Sequence, residues 1–189
     1  MTLVFPLDES RLAFVREVET RSHQTLAVCY QCGKCTAGCP VAYAMDYSPT
    51  QIMRGVQLGM RDEVLSSHTI WLCAACETCT TRCPQGVDPA GVMDALRRMA
   101  YAAGLKSPES DVPLFHRIFL SGVRLHGRVF ETAMLGFYNV LSGHYLKDVV
   151  MAPAMLMKGK LSLLPTMDKN IKGMKELFAK ARELEAKDA

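Results

Sequence analysis

The stretch CYQCGKCTAGCP at residues 29–40 shares its cysteine pattern with CAACETCTTRCP at residues 73–84. In both, four cysteines are separated by two, two and three residues, and the fourth is followed by proline. All eight cysteines of the 189-residue chain belong to these two runs: Cys29, Cys32, Cys35 and Cys39, then Cys73, Cys76, Cys79 and Cys83. The sequence is therefore organised around a duplicated set of potential metal ligands.

This spacing is typical of proteins with two [4Fe–4S] clusters, in which the fourth cysteine of each run ligates the cluster of the other run. Three thiolates two residues apart on a tight loop can reach three corners of a cubane, and the fourth corner needs a cysteine from elsewhere. The following proline turns the chain away. The pattern predicts cluster I on Cys29, Cys32, Cys35 and Cys83, and cluster II on Cys73, Cys76, Cys79 and Cys39.

Structural zinc is the alternative, because paired C-x2-C units also form tetrahedral zinc sites. A zinc site would use only two of the three closely spaced cysteines in each run, and it gives no role to Pro40 and Pro84. The cysteines are also too sparse for a disulfide-stabilised secreted domain. We therefore interpret the two runs as ligands of two [4Fe–4S] clusters.

Composition restricts the partners and the location of the chain. The formal net charge is only +3, and no stripe of basic residues indicates nucleic-acid binding. The first 22 residues are too charged for a signal peptide. The longest uncharged stretch of the apolar second half, residues 132–146, is too short to span a bilayer as a helix. The sequence predicts a soluble, cytoplasmic chain with no transmembrane segment.

Apolar residues recur at helical spacing on both sides of the cysteine runs, which predicts an all-α fold. One helix is predicted at residues 8–22, and a second has Ser48 as its cap and Pro49 in its first turn. Pro89 begins a third, which ends near Gly104. The first cysteine run is predicted as loop. Small bacterial ferredoxins instead join their runs with strands and turns, so this is a different, α-helical ferredoxin architecture.

Three segments follow from these elements. They are an N-terminal helix at 1–24, an α-helical ferredoxin domain at 25–104 and, after a linker at 105–111, a helical C-terminal docking region at 113–189. The last segment is predicted to be helical up to Pro165 and again, as an amphipathic helix, at 168–187. Its apolar faces indicate docking to other subunits. The alternative is that these faces pack on the ferredoxin domain.

No residues form a recognisable catalytic group. The sequence has no G-x-G-x-x-G motif, no P-loop, and no cysteine outside the two runs that could act as a nucleophile. The histidines are scattered along the chain, at His23, His68, His116, His126 and His144. We therefore assign no catalytic residue and interpret the chain as an electron relay.

The segments around the cysteines resemble those of HdrC, the iron–sulfur C subunit of heterodisulfide reductase. The resemblance is carried by CYQCGKCTAGCP at 29–40, SPTQIMRGVQLG at 48–59, WLCAACETCTTRCPQGVD at 71–88 and a Gly-Arg-x-x-Glu step at 127–131. The same domain occurs in the iron–sulfur subunits of fumarate reductase and succinate dehydrogenase, which add a [2Fe–2S] domain. It also occurs in one subunit of glycerol-3-phosphate dehydrogenase, which adds CCG motifs. This chain has cysteines for neither addition.

The resemblance implies a non-catalytic relay subunit of an oxidoreductase complex, partnered by the B and A subunits of heterodisulfide reductase. HdrB, the B subunit, holds the CCG motifs and reduces the disulfide. HdrA, the A subunit, is a flavoprotein that receives electrons from a hydrogenase or formate dehydrogenase. Single electrons would pass from HdrA through this chain to HdrB. Two alternatives are a free ferredoxin-like carrier and the iron–sulfur subunit of a membrane-associated quinone- or sulfite-reductase-linked complex.

The charges beside the cysteines predict that cluster I has the higher reduction potential. Lys34 lies between two of its predicted ligands and Arg82 precedes a third, whereas Glu77 lies among the ligands of cluster II. A cation favours the extra negative charge of a reduced cluster by roughly 2 kcal/mol at about 8 Å and an effective dielectric of about 20. In an EPR-monitored redox titration, Lys34→Ala should lower one midpoint and Glu77→Ala should raise the other. Equal midpoints that neither substitution moves would contradict this prediction.

Overall fold

The structure is a computed structural model that describes residues 8–145, 151–159, 168 and 170–188, without the side chains of residues 152 and 185–188. All regular elements in these ranges are helical, which confirms the predicted all-α fold. The helices are α1 (Glu9–Ser22), α2 (Lys34–Ala37), α3 (Pro49–Gln57), α4 (Arg61–Leu65), α5 (Thr69–Leu72), α6 (Thr78–Thr81), α7 (Pro89–Ala102), α8 (Asp111–His126), α9 (Glu131–Leu141), α10 (Ala152–Met157) and α11 (Ile171–Asp188). Parts of the predicted terminal segments, at 1–7, 146–150 and 160–167, lie outside the described residues.

The chain divides into two compact units, residues 1–109 and residues 110–189. Both cysteine runs belong to the first unit, together with helices α1 to α7. The second unit contains α8 to α11. The assignment of residues 113–189 as a docking region stays a prediction.

Helix α7 forms the centre of the first unit. It packs against α1, α4, α5 and α6, and Val92, Ala95 and Leu96 on its apolar face are completely buried. Helix α1 contributes Phe14 and Val18 to the same core. Because burying one such aliphatic or aromatic side chain stabilises a fold by about 1.5–3 kcal/mol, α1 is part of the scaffold that supports the cysteine runs.

Ser48, Pro49 and Pro89 occupy the helix-starting positions predicted for them, and two residues that were not predicted, Gln51 and Asp88, add further caps. Ser48 and Gln51 form a reciprocal capping box at the start of α3, and Pro49 occupies the first turn. Asp88 caps α7 through its carboxylate, and Pro89 follows it. The two helices that follow the two cysteine runs therefore begin in the same way.

Both cysteine runs contain a short helical turn, so the prediction of loop for the first run is wrong in this part. Helix α2 lies inside the first run and α6 inside the second. Each begins after a residue in the left-handed conformation, Gly33 at φ 77° and Glu77 at φ 56°. A four-residue helix is too short to carry an apolar stripe, so periodicity could not predict it.

In the second unit, α8 packs against both α9 and α11. Gly127 ends α8 in the left-handed conformation at φ 78°, and the Asp168 N–H donates to the His126 carbonyl at 2.9 Å. None of the described side chains from residue 110 onward is fully buried. This unit accordingly presents much of its apolar surface outward.

Asp46 ties the segment after the first run to the start of α5, just before the second run. Its carboxylate accepts hydrogen bonds from the N–H groups of His68 and Thr69, both at 2.9 Å, and from the Thr69 hydroxyl at 2.7 Å. Although burial opposes ionisation, these bonds and one from the Tyr47 N–H lower the pKa of Asp46 from its ordinary value of 3.8.

We expect Asp46→Ala to destabilise the full chain by about 1–2 kcal/mol, because it leaves the first N–H groups of α5 without their acceptor. The folded-state pKa is lowered, so this contribution is present above the unfolded-state pKa and is lost as the pH falls through the folded-state pKa. Urea unfolding followed by circular dichroism should therefore show a difference at neutral pH that narrows below about pH 4. Asp94→Ala, at an exposed carboxylate of α7, is the control, and an equal loss in both variants would contradict the prediction.

Candidate iron–sulfur site

The cysteines of the two runs line two small cavities in the first unit. The first cavity is lined by Cys29, Cys32, Cys35 and Cys83. The second cavity is lined by Cys39, Cys73, Cys76 and Cys79. Each cavity thus gathers three thiols of one run and the fourth thiol of the other, the same sets that the spacing predicts for clusters I and II. The assignment of each cysteine as a ligand stays a prediction.

The backbone has the same special conformation in both runs. Left-handed residues occur two and four positions after the first cysteine, at Gln31 (φ 63°) and Gly33 (φ 77°) in the first run and at Ala75 (φ 49°) and Glu77 (φ 56°) in the second. Three of the four are not glycine, and such residues cost free energy that surrounding structure must offset. Alternating conformations of this kind turn successive N–H groups inward to form anion-binding concavities, which occur at many iron–sulfur sites.

Polar side chains approach the cysteine sulfurs in both cavities. The Thr50 hydroxyl lies 3.2 Å from Cys35 Sγ, and the Thr78 hydroxyl lies 3.4 Å from Cys76 Sγ. The Gln31 amide donates to Cys29 Sγ at 3.5 Å. Hydrogen bonds to ligand sulfurs stabilise their negative charge and tune cluster potentials.

The thiols differ in how readily they form thiolates, the state that binds iron. Hydrogen bonds from the hydroxyl and N–H of Thr78 lower the pKa of Cys76, while burial raises the pKa of Cys79. Burial, together with the neighbouring Cys32 and Cys83 thiols, raises the pKa of Tyr30. Tyr30 therefore lies beside thiols of both runs at the first cavity.

Each run is held at its first cysteine by a side chain from the helix that follows it. On α3, the Gln57 amide donates to the carbonyls of Leu26 at 2.8 Å and Cys29 at 2.9 Å. On α7, the Arg97 guanidinium donates to the carbonyls of Ile70 at 2.9 Å and Cys73 at 2.7 Å. Both donors stand eight residues after the helix's first proline, and both bind the carbonyl of the first cysteine and the carbonyl three residues before it. Sequence analysis missed them, although the repeated proline spacing is a signal that could have identified the pair.

The side chain of Arg82 lies in a place that the sequence order does not predict. It precedes Cys83, but its side chain extends across Gly38, so that a Cβ added there would lie 2.8 Å from Arg82 Cδ and 3.0 Å from Nη1. Gly38 directly precedes Cys39, which lines the second cavity. The Arg82 side chain therefore lies against the neighbour of a cysteine of the second cavity, a contact that its position before Cys83 does not predict.

Both cavities fit an iron–sulfur cluster, because each is lined by four thiols and by one charged side chain, Lys34 or Glu77. Both runs also have left-handed residues of the kind found in anion-binding loops. No three histidine, cysteine or acidic side chains in the described ranges are close enough to hold one metal ion. A cubane binds its thiolates at separate corners, farther apart than the ligands of a single zinc ion. The scattered histidines do not line either cavity; His68 instead pairs with Glu109 at 3.0 Å and His144 with Asp111 at 3.2 Å.

Comparison with known proteins agrees with this geometry. Residues 25–87 match the family described as a 4Fe–4S dicluster domain. The chain is 35% identical over 95 residues to the C subunit of the H(2):CoB-CoM heterodisulfide,ferredoxin reductase of Methanothermobacter marburgensis, covering 50% of this chain and 51% of that relative. It is 42% identical over 80 residues, 42% of either chain, to the iron–sulfur C subunit of the CoB–CoM heterodisulfide reductase of Methanopyrus kandleri. It is 34% identical over 121 residues to a protein of Archaeoglobus profundus described as similar to the heterodisulfide reductase C subunit, covering 60% of this chain and 63% of that relative.

The part of the chain that holds both cysteine runs is thus similar to heterodisulfide reductase C subunits and matches a 4Fe–4S dicluster domain. The resemblance inferred from the cysteine runs is therefore confirmed, and so is the cofactor: two [4Fe–4S] clusters, with electron transfer as the general role. The chain spans about half the length of the curated relatives it matches. In the part of the chain that the structure describes, no helix is long and apolar enough to cross a membrane.

Single substitutions of the fourth cysteines test the assignment of ligands to cavities. We expect Cys83→Ser to damage the cluster of the first cavity and Cys39→Ser that of the second, because each thiol lies in the cavity of the other run. The wild-type chain should hold about eight irons and eight sulfides. EPR of each variant should show the loss or alteration of a different signal.

Cys32→Ser and Cys76→Ser, each at the exposed second cysteine of a run, identify which signal belongs to which run. If Cys83→Ser altered the same signal as Cys76→Ser, rather than the one altered by Cys32→Ser, the predicted pairing would be wrong.

Proposed function

We propose that this chain is the electron-transfer subunit of a heterodisulfide-reductase-like complex. In this proposal, single electrons pass through the two clusters from a flavin-containing HdrA to a disulfide-reducing HdrB. HdrA receives these electrons from a hydrogenase or formate dehydrogenase. The observation that carries the proposal is the pair of four-cysteine cavities on one helical core, in a chain related to HdrC proteins. We also place the complex in the cytoplasm, because thiols remain available for cluster assembly in a reducing compartment.

The arrangement of the cavities supports a relay. Pro89 lines both of them, so the two cavities are neighbours that share one residue of α7. The second cysteine of each run, Cys32 and Cys76, is exposed, so each cavity has a solvent-facing edge. Two neighbouring redox centres, each with its own exposed edge, allow an electron to arrive at one and leave from the other.

The proposed chemistry of this chain is limited to holding the clusters and setting their potentials. When bound, a [4Fe–4S] cluster accepts and releases single electrons. Gln57 and Arg97 fix the first cysteine of each run, and the threonine hydroxyls act on sulfur. The proposal therefore assigns reduction of the disulfide to the partner and no catalytic residue to this chain.

The second unit supports docking to the partners. An open groove of about 480 Å³ between α8 and α9 is lined mainly by apolar side chains. Phe137, one of them, is 64% exposed, and the neighbouring Val140 on the same helix is 57% exposed. Contiguous exposed apolar surface of this kind marks interaction sites in proteins. We propose that this unit, residues 113–189 in particular, binds the partner subunits.

We expect deletion of residues 113–189 to leave both clusters assembled and to abolish stable association with co-expressed HdrA and HdrB. The clusters should survive because every cysteine belongs to the first unit. Iron and sulfide content, EPR, and native mass spectrometry of the purified assembly measure the two outcomes separately. Loss of the clusters with association intact would contradict the assignment of the two units, and full association after deletion would favour a carrier that docks through the ferredoxin domain.

A matched pair of point variants locates the contact within the second unit. Phe137→Asp should weaken association, whereas Tyr101→Asp, at a residue of α7 that is 63% exposed, should not. Both substitutions place a charge on an exposed aromatic position, so the difference reports position rather than chemistry. Equal association of the two variants would show that the groove between α8 and α9 is not the docking surface.

A further inference from the structure

We propose that Arg97 is the counter-charge of the cluster in the second cavity and raises its reduction potential, a function that Gln57 does not perform at the first cavity. This inference rests on the proposed placement of a cluster among Cys39, Cys73, Cys76 and Cys79. It adds a residue outside the cysteine runs that determines how readily one of the two centres accepts an electron.

Arg97 and Gln57 occupy equivalent places in a structural repeat. Each follows a helix-starting proline by eight residues, at Pro89 and Pro49. Each donates to the carbonyl of the first cysteine of its run and to the carbonyl three residues before it, over distances of 2.7–2.9 Å. A methionine four residues earlier on each helix, Met53 or Met93, lines the corresponding cavity. The two side chains therefore perform the same tethering task.

The two residues differ in charge, and tethering alone does not require one. Gln57 shows that a neutral amide satisfies both carbonyls. Arg97 makes the same two contacts with a permanent positive charge, since the guanidinium is not deprotonated in proteins. A charge at this position has a cost in desolvation that the carbonyls alone offset only in part.

No carboxylate within the described residues compensates Arg97. It is half-buried and makes no ion pair with an acidic side chain in the described ranges. The adjacent Arg98 is the contrast: it is 62% exposed and pairs with Asp94 at 3.2 Å. Arg97 bonds the carbonyl of Cys73, and Cys73 lines the second cavity. A half-buried cation with no acidic partner among the described residues therefore lies close to the place where a cubane held by four thiolates would put negative charge.

A cation here acts more strongly on the reduced cluster than on the oxidised one, because reduction adds one negative charge. The exposed Lys34 and Glu77 at the cavity walls are screened by solvent, whereas Arg97 is partly shielded from it. We expect removal of the Arg97 charge to lower the equilibrium constant for reduction of this cluster about tenfold, which is about 59 mV for a one-electron couple.

The test compares midpoint potentials of the full chain, with both clusters assembled, by anaerobic EPR-monitored titration. Arg97→Gln, which installs the donor used by the first run, should lower one midpoint by about 59 mV. Arg97→Lys, which keeps the charge, should leave that midpoint within a small fraction of this shift. Arg98→Gln, which removes the same charge one residue away on the exposed face, should move neither midpoint.

The reciprocal variant Gln57→Arg should raise the other midpoint, because it adds at the first cavity a cation in the place that Arg97 occupies at the second. If Arg97→Gln and Arg97→Lys shifted the midpoint equally, Arg97 would act only as a tether and the inference would be overturned. Unmoved midpoints in Arg97→Gln would overturn it as well. If Arg97→Gln fails to retain the second cluster, Gln57→Arg decides, and an unchanged midpoint in that variant rejects the electrostatic role.

These outcomes are separate from those of the proposed function. A wild-type chain without two clusters would refute the placement of the cofactors, before any comparison of midpoints. Failure of the wild-type chain to associate with HdrA and HdrB would refute the relay complex. It would leave the midpoints of the isolated chain unaffected. Only unmoved or equally shifted midpoints, in a chain that holds both clusters, refute the role of Arg97.

Discussion

The structure depends on one constraint, which is that two cysteine loops far apart in the sequence must lie against each other. Each cavity contains three thiols of one run and one of the other, so neither set of four exists in a single loop. Helix α7 supplies the surface on which the loops meet. It buries one face in the core and presents Pro89 between the two cavities. The short turns α2 and α6 pack against each other, which fixes the register of the two runs.

Features that depend on neighbours in the chain could be predicted from the sequence. The cysteine spacing identifies the cofactor, because few chemistries need four thiols at those intervals. Ser48 and Pro49 identify the start of α3, since their effects act within one helical turn. Apolar spacing identifies the all-α class. Each of these signals is complete within a short stretch of sequence.

Features that depend on neighbours in space could not be predicted in this way. Sequence order puts Arg82 beside cluster I because it precedes Cys83, but its long side chain extends across Gly38, where no Cβ blocks it. Nothing in the sequence around Arg97 distinguishes it from Arg98, although Arg97 binds the carbonyl of Cys73. Sequence adjacency gives the position of a Cα atom, whereas the end of an arginine side chain is placed by the packing around it. The positions of the charged side chains therefore follow from the fold, whereas the two sets of candidate ligands follow from the cysteine spacing.

The sharing of thiols also constrains how the protein matures. During synthesis from the amino end, the first cavity lacks one of its four thiols until Cys83 has been made, although its other three come from the first run. The second cavity in turn contains Cys39, an early residue, beside three late ones. Both cavities also use side chains of α7, the last helix of this core. A nascent chain that ends before α7 lacks part of the lining of both cavities, so we expect cofactor insertion to follow translation of the first residues of α7.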